Sequence, residues 1–277
     1  MVHVKALKFI VLIFLVSLTA GCMDIGNLKE GLVADGMNKL LPEGTVPEEE
    51  LEAEEADLVG SVESAESIAS TGIPEVPSYS EEKSGAVYPK EYRLLSLNFR
   101  RAIGAGEERT GEEVYNITGK TSGYNIEDAC AVYNYVNRNW QYRYDKNAEF
   151  FFGASQTIDS GYIGDCDDYS IVMSALLKNM GFNTRVVTAY NESYGHAYPE
   201  LYIGDDRDAA SGILDYIAER YPSAENVWYS ERVLEDGQGT QYWLNFDWSG
   251  SNGYRHPGGV YFQGASIIYY PNGLVEF

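Results

Sequence analysis

The chain has 277 residues, with 42 acidic and 20 basic side chains and a formal net charge of −22 at pH 7. This charge argues against nucleic acid as a partner, because that binding depends on Lys and Arg side chains that neutralise phosphates. The three cysteines, Cys22, Cys130 and Cys166, are too few for a disulfide framework, so each needs its own explanation. The length allows one medium domain of about 190 residues with additional segments.

The N-terminus has the features of a secretory signal peptide. Lys5 and Lys8 precede a largely apolar run, Phe9 to Leu18, that is too short for a comfortable bilayer span. The following Leu18-Thr-Ala-Gly-Cys22 resembles a lipobox, in which signal peptidase cleaves before the cysteine and lipid is attached to its sulfur. We predict a lipoprotein signal peptide over residues 1–21, with Cys22 as the lipid attachment site. An uncleaved anchor helix is the alternative, and both place the protein on the extracytoplasmic face of the membrane.

An acidic segment follows the predicted lipid attachment site. Between Glu43 and Glu82 the chain carries thirteen acidic residues and no Lys or Arg. Such a composition, without a sustained apolar period, predicts a disordered and self-repelling tether over residues 22–85 that holds the domain away from the membrane. An acidic protein-binding tail is the alternative. The globular domain is then predicted over residues 86–277.

Apolar periodicity predicts the helices of the domain. Glu91 to Ile103 is compatible with a helix, and Asn125 to Trp140 has an apolar stripe on one helix face. Cys130 lies on that stripe, so we expect it to behave as a small buried hydrophobe. Tyr169 to Met180 is apolar on nearly every side and stops at Gly181, as a helix buried in a core does.

Alternating patterns after the buried helix predict strands. These cover Arg185–Tyr190, His196–Ile203, Gln241–Trp248 and Ala265–Tyr270. Pro199 predicts an edge or a bulge in the second strand. A polar insertion over residues 205–239, with a helix at Ser211–Tyr221, is expected to extend a hairpin, and it either shapes specificity or decorates an edge. Strands that follow a core helix predict an α+β fold, in which an antiparallel sheet packs on that helix.

Cys166 lies where a Gly-rich turn meets the start of the buried helix. Its thiol is expected beside unpaired backbone N–H groups and the positive end of the helix dipole, a position that favours the thiolate. The neighbouring Asp165, Asp167 and Asp168 oppose this effect as like charges. Aspartates at a helix start also cap backbone N–H groups, so we expect the helix end and an imidazole to outweigh them.

His196 and Asp247 are the candidates to activate this thiol. An adjacent imidazole takes the thiol proton and returns it to the leaving group, and a carboxylate holds the imidazole in the required tautomer. His3 is lost with the signal peptide, and His256 lies in a loop, where we expect a surface or turn residue. The sequence therefore predicts a catalytic triad of Cys166, His196 and Asp247.

Three ordered motifs resemble the transglutaminase-like superfamily. The motifs are Gly164-Asp-Cys-Asp-Asp-Tyr with the later Gly181-Phe-Asn-Thr-Arg-Val-Val, then Gly195-His-Ala-Tyr, then Leu244-Asn-Phe-Asp. They are similar to that family's cysteine helix and following strand, its histidine strand and its aspartate strand. The resemblance implies a papain-like α+β core with Cys166 as nucleophile, His196 as general base and acid, and Asp247 as the orienting carboxylate. An oxyanion hole would combine the Cys166 backbone N–H with a second donor, for which Trp140 and Gln156 are candidates.

These observations lead to one function hypothesis with open alternatives. The hypothesis is a lipid-anchored extracytoplasmic thiol hydrolase or acyltransferase, without a cofactor, that attacks amide bonds of peptides or envelope proteins through a thioester on Cys166. A non-enzymatic envelope-associated binding or structural module that retains the fold is the first alternative. Metal binding by Cys166, His196 and Asp247 is the second. A disulfide between Cys130 and Cys166 would silence the nucleophile.

Overall fold

The structure is a computed structural model that describes residues 90–144, 151–192, 194–224, 226–234, 239–248 and 255–277. The predicted signal peptide, Cys22 and the predicted tether lie outside these residues. The helices are α1 (Lys90–Gly104), α2 (Glu107–Thr118), α3 (Ile126–Asn139), α4 (Ala154–Asp159), α5 (Cys166–Asn179) and α6 (Arg207–Arg220). The strands are β1 (Gln141–Tyr142), β2 (Ile163–Gly164), β3 (Thr184–Tyr190), β4 (Gly195–Gly204), β5 (Tyr229–Val233), β6 (Thr240–Asn245), β7 (Ala265–Tyr269) and β8 (Val275–Glu276). None of the helices in these ranges is both long and apolar enough to cross a membrane.

Six of the strands form one sheet, and helix α5 packs against it. The strand order is β5-β6-β4-β3-β7-β8, and every pair of neighbours is antiparallel. Helix α5 contacts strands β3 and β4 as well as helices α1, α3, α4 and α2. Strands β1 and β2 form a separate short parallel pair. The fold is therefore α+β, with a helix that begins at Cys166 packed on an antiparallel sheet, which confirms the predicted fold class.

Helix α5 is buried on nearly every side, as its composition predicts. Every residue from Tyr169 to Leu177 is buried. Ser170 Oγ donates to the Cys166 carbonyl at 2.7 Å, which satisfies a polar group in apolar surroundings. After the helix, Gly181 adopts a positive φ of 85°, the left-handed conformation that glycine enters without steric cost. The predicted stop of the helix is confirmed.

Helix α3 begins at a side-chain cap and carries Cys130 into the core. Asn125 Oδ1 accepts the backbone N–H groups of Glu127 and Asp128, and Asp128 Oδ2 accepts the Asn125 N–H at 2.9 Å. Cys130 is fully buried, and burial raises the pKa of its thiol to about 11. Cys130 is therefore a core residue, as predicted, and no disulfide joins it to Cys166 in the structure.

A buried ion pair ties the strands together on the sheet face opposite α5. Arg185 Nε donates to Glu200 Oε2 at 2.6 Å, and the other guanidinium nitrogens donate to the hydroxyls of Tyr270 and Ser230, each at 3.1 Å. The guanidinium also lies 4.1 Å from the ring centroid of Trp243. Burial lowers the pKa of Arg185, but Glu200 and Tyr270 together raise it by more, so the net pKa shift is upward. The Arg185 guanidinium of β3 thus contacts residues of β4, β5 and β6 and the residue that follows β7.

Pro199 lies in an interior strand, so the prediction of an edge is wrong. Strand β4 is flanked by β6 and β3, and its register shift lies further along, between Tyr202 and Gly204. Strand β6 ends at Asn245, which pairs with Glu200. Just past that pair, the Phe246 N–H donates to the Pro199 carbonyl at 2.9 Å, and the Phe246 carbonyl accepts the Tyr169 hydroxyl at 3.3 Å instead of an N–H from position 199.

His256 is fully buried, so the expectation of a surface residue is wrong. Its Nδ1 lies 2.9 Å from the Pro257 carbonyl, and its ring centroid is 6.1 Å from that of Tyr221. The loop that carries it therefore folds back onto the segment that follows α6.

The 205–239 insertion contributes helix α6 and strand β5. Strand β5 pairs antiparallel with β6 at one end of the sheet, so the segment extends a hairpin, as expected. Tyr221 ends helix α6 and donates to Asn134 Oδ1 at 3.0 Å, which packs the insertion beside α3.

We predict that Arg185→Met lowers the free energy of unfolding by about 3–5 kcal/mol, because it leaves the Glu200 carboxylate buried without its cation. Urea denaturation checks this value. The matched control is Arg138→Met, since Arg138 is exposed at the end of α3 and its loss should change stability by less than about 0.5 kcal/mol. Equal effects of the two variants would show that the buried pair does not hold the sheet.

Candidate active site

The turn before Cys166 is held by the parallel pair β1 and β2. The Gln141 N–H donates to the Tyr162 carbonyl and the Arg143 N–H to the Gly164 carbonyl, both at 2.8 Å. These bonds fix the chain two residues before Cys166, which is the first residue of α5 and is partly exposed. The thiol therefore lies at the N-terminal end of a buried helix, as predicted.

The Asp168 carboxylate organises the same turn. Its Oδ2 accepts the Asp165 N–H and its Oδ1 accepts the Phe152 N–H, both at 3.3 Å. The Asp168 N–H in turn donates to Asp167 Oδ1 at 3.1 Å. Gly164 lies against this carboxylate so closely that a Cβ there would overlap it. Asp167 and Asp168 thus accept backbone N–H groups, which confirms the capping role expected of these two residues.

A second carboxylate supports the turn from helix α2. Glu113 accepts the Tyr162 hydroxyl at 2.6 Å and the Arg109 guanidinium at 2.8 Å. Burial raises the pKa of Glu113, but the hydrogen bonds from Tyr162, Arg109 and Tyr135 and the charge of Arg109 together lower it by more, so the net pKa shift is downward. Tyr162 has a positive φ of 62°, which is uncommon for a bulky residue, and its hydrogen bond to Glu113 helps to hold that conformation.

His196 and Asp247 meet across neighbouring strands. His196 lies near the start of β4 and Asp247 lies two residues after the end of β6, and these strands are adjacent in the sheet. The distance from His196 Nε2 to Asp247 Oδ2 is 2.7 Å, although the two residues are 51 positions apart in the chain. Asp247 is buried, with 4% of its surface exposed, whereas His196 is partly exposed. The structure therefore brings together the predicted imidazole and its predicted carboxylate.

Two buried tyrosines hold the backbone of the aspartate segment. Tyr133 Oη donates to the Asp247 carbonyl at 3.0 Å, and Tyr169 Oη donates to the Phe246 carbonyl at 3.3 Å. Asn137 Nδ2 donates to the Tyr169 hydroxyl at 3.0 Å. Sequence reasoning missed these three residues. Their signal is a polar side chain within an apolar helix stripe, because a buried hydroxyl or amide requires a partner.

Two further observations place the cysteine turn beside the histidine and the aspartate. Asp167, the residue after Cys166, lines the same cavity as His196. The Tyr142 ring stacks on the Trp248 ring, with centroids 5.2 Å apart and planes 11° apart. Tyr142 pairs with Gly164 of the turn, and Trp248 follows Asp247. The helix start that carries Cys166 therefore lies near His196 on one side and near the aspartate segment on the other.

The donor atoms of Asp165, Cys166 and Asp167 lie within 4.8 Å of one another. This group mixes two carboxylates with one thiol, and Asp167 already accepts a backbone N–H. Zinc sites favour several thiolates or imidazoles, and calcium and magnesium favour oxygen donors alone. The alternative set of Cys166, His196 and Asp247 has His196 Nε2 directed at the Asp247 carboxylate. Neither donor set fits a preferred metal, and no metal is assigned.

The two candidates for a second oxyanion donor have different surroundings. Gln156 Oε1 accepts the Gly153 N–H at 3.0 Å, so this side chain caps helix α4. The Trp140 ring packs edge-on against the Tyr169 ring, with centroids 5.1 Å apart. Gln156 therefore caps α4 through Oε1 while its amide N–H groups are donors, and both side chains stay candidates.

A thiol at a helix start and a hydrogen-bonded histidine–aspartate pair on adjacent antiparallel strands are the arrangement of thiol-dependent hydrolases and acyltransferases. Comparison with known proteins agrees with this class. Residues 113–209 match the family model of the Transglutaminase-like superfamily. The match includes Cys166 and His196 and ends before Asp247.

One solved structure is similar, that of the "Putative Cysteine Protease" from Cytophaga hutchinsonii. It shares 18% sequence identity over 65% of this chain, with a TM-score of 0.35. The similar part spans 54% of that protein, about half of its length. No curated protein sequence matches the chain.

We predict that Gly164→Ala lowers the free energy of unfolding by about 1–3 kcal/mol, because the new Cβ overlaps the Asp168 carboxylate and displaces it from the turn. Thermal or urea denaturation measures the change. The matched control is Gly212→Ala in helix α6, where a Cβ meets open space and alanine stabilises a helix by up to about 1 kcal/mol. A Gly164→Ala variant as stable as the Gly212→Ala control would contradict the described packing of the turn.

Proposed function

We propose that the protein is a lipid-anchored extracytoplasmic thiol hydrolase or acyltransferase that acts on amide bonds of peptides or envelope proteins. The observation that carries the proposal is the 2.7 Å contact between His196 and Asp247 at a cavity that the cysteine helix also borders. The similarity of residues 113–209 to the Transglutaminase-like superfamily supports the same class of chemistry.

The proposed reaction begins with proton transfer from the Cys166 thiol to the His196 imidazole. Because Nε2 faces Asp247, Nδ1 is the ring nitrogen that exchanges the proton. The thiolate attacks the amide carbonyl, and the carbonyl oxygen becomes an oxyanion near the Cys166 backbone N–H at the helix start. His196 then gives its proton to the leaving amine as the carbon–nitrogen bond breaks, and a thioester remains on Cys166.

The second half of the reaction removes the acyl group. Water or an amine, deprotonated by His196, attacks the thioester carbonyl, and the Cys166 thiol is restored. Water gives hydrolysis and an amine gives transamidation. Water is the simpler acceptor, because it requires no second binding site. Asp247 keeps the imidazole oriented and stabilises its positive charge through both halves.

The location of the enzyme is proposed from the sequence. The short apolar run and the lipobox-like motif ending at Cys22 support export and lipid attachment, and the acidic segment over residues 22–85 supports a flexible spacer. Peptides and envelope proteins are the natural substrates for a domain tethered at that surface.

We predict that iodoacetamide modifies Cys166 at neutral pH and leaves Cys130 unmodified. Cys130 is fully buried and its pKa is about 11, so it stays a protected thiol, whereas Cys166 is partly exposed. His196→Ala should slow the alkylation of Cys166 by about tenfold or more, because the imidazole no longer takes the thiol proton. Mass spectrometry of the alkylated peptides gives both rates.

The control for this experiment is Tyr194→Ala, which changes an exposed side chain two residues from His196. It should leave the alkylation rate within about twofold of the wild-type value. If His196→Ala and Asp247→Asn also alkylate at the wild-type rate, the triad does not activate the thiol, and a non-enzymatic binding module becomes the better description.

We also predict that Cys166→Ala abolishes amide cleavage of a peptide pool, with a loss of about 10³-fold or more, because no thioester can form. Liquid chromatography of the cleaved peptides measures the rate, and Cys130→Ala is the matched cysteine control. Cleavage by Cys166→Ala at the wild-type rate would contradict the mechanism.

A further inference from the structure

We infer that the cavity beside His196 is a subsite for the side chain of a branched aliphatic residue, Val, Leu or Ile, next to the amide that is attacked. This inference rests on the proposed function and adds to it a class of substrate. The cavity is lined by residues of α1, α5, β3 and β4 and of the loop before α4, namely Leu95, Phe99, Phe151, Asp167, Thr188, Tyr190, Gly195, His196 and Ala197.

The walls of the cavity are mostly carbon. Leu95 and Phe99 of helix α1 are both buried, each with 2% of its surface exposed. The Phe99 ring packs edge-on against the Phe151 ring, with centroids 4.7 Å apart. On the sheet side, the cross-strand pairs Thr188–Ala197 and Tyr190–Gly195 line the cavity, and the Ala189–His196 pair lies between them. An apolar side chain gains free energy by leaving water for such a surface.

The volume of the cavity sets the size of its occupant. The cavity volume is about 40 Å³. A cavity needs roughly 10–15 Å³ for one water-sized group, so this cavity holds roughly three or four non-hydrogen atoms. That is the size of the side chain of valine, leucine or isoleucine. A phenylalanine or tryptophan side chain is too large, and glycine would leave the cavity empty.

The position of the cavity connects it to the chemistry. His196 is both a lining residue and the partner of Asp247, and Asp167 follows Cys166 directly. Three lining residues, Phe151, Gly195 and His196, are partly exposed, so the cavity lies close to the surface next to His196. A side chain in the cavity therefore belongs to a residue that flanks the reacting amide. The Asp167 carboxylate in the lining also disfavours acidic side chains.

The test uses the full-length chain and a decapeptide pool randomised at every position. Mass spectrometry identifies the products, with and without glycine methyl ester as an amine acceptor. We expect Val, Leu and Ile to be enriched about tenfold or more over Gly and Phe at one fixed position relative to the reacted bond. Leu95→Ala and Phe99→Leu enlarge the cavity and should each shift this preference toward Phe and Met by about tenfold.

The matched control is Leu94→Ala. Leu94 is also buried on helix α1 but packs with Leu97 and does not line the cavity. The Leu94→Ala variant should keep the wild-type preference. This control therefore separates a general destabilisation of α1 from a change in the cavity. If Leu95→Ala fails to fold, Phe99→Leu decides the test.

The outcomes separate this subsite from the proposed function. Cys166-dependent turnover without an aliphatic preference, or with one that Phe99→Leu leaves unchanged, overturns the subsite and retains the enzyme. Absence of Cys166-dependent turnover of the pool overturns both. Loss of the preference in Leu94→Ala to the same extent as in Leu95→Ala overturns the assignment to this cavity.

Discussion

The contact between His196 Nε2 and Asp247 Oδ2 is the interaction on which the functional site depends. It forms only because β4 and β6 are neighbours in the sheet and because Glu200 pairs with Asn245 in register. A slip of one residue in the register of β4 would move the His196 side chain to the other face of the sheet. The helix start at Cys166 borders this pair through Asp167 and through the stacked rings of Tyr142 and Trp248. Sheet register and helix position together therefore define the site.

Two polar networks on opposite sides of the sheet maintain that register. On one face, Arg185 and Glu200 join neighbouring strands through a buried ion pair with hydroxyl partners. On the other side, Tyr133 and Tyr169 donate to the carbonyls of the aspartate segment. Buried polar groups of this kind cost free energy when any partner is lost. They specify one arrangement of strands and helix, and the geometry of the candidate active site depends on that arrangement.

The sequence predicts the local structure well and the long-range contacts in part. The uninterrupted apolar run of α5 and the alternation of β3 and β4 identify those elements, because each pattern matches one periodicity. His196 and Asp247 are found through residue type and family resemblance, whereas their pairing depends on strand order, which periodicity does not encode. The interior place of Pro199 and the burial of His256 follow from the same long-range packing. The role of helix α1 in the cavity depends on where that helix docks, and its own sequence carries no such signal.

The most direct test of the central claim is the intact mass of the chain after an acid quench during turnover of the peptide pool. We predict mass increments equal to the acyl parts of the reacted peptides, mapped to Cys166 and labile to hydroxylamine as a thioester is. They should be absent from Cys166→Ala and reduced about tenfold or more in His196→Ala. Turnover without an adduct on Cys166, or an adduct that forms equally well in His196→Ala, would contradict the account.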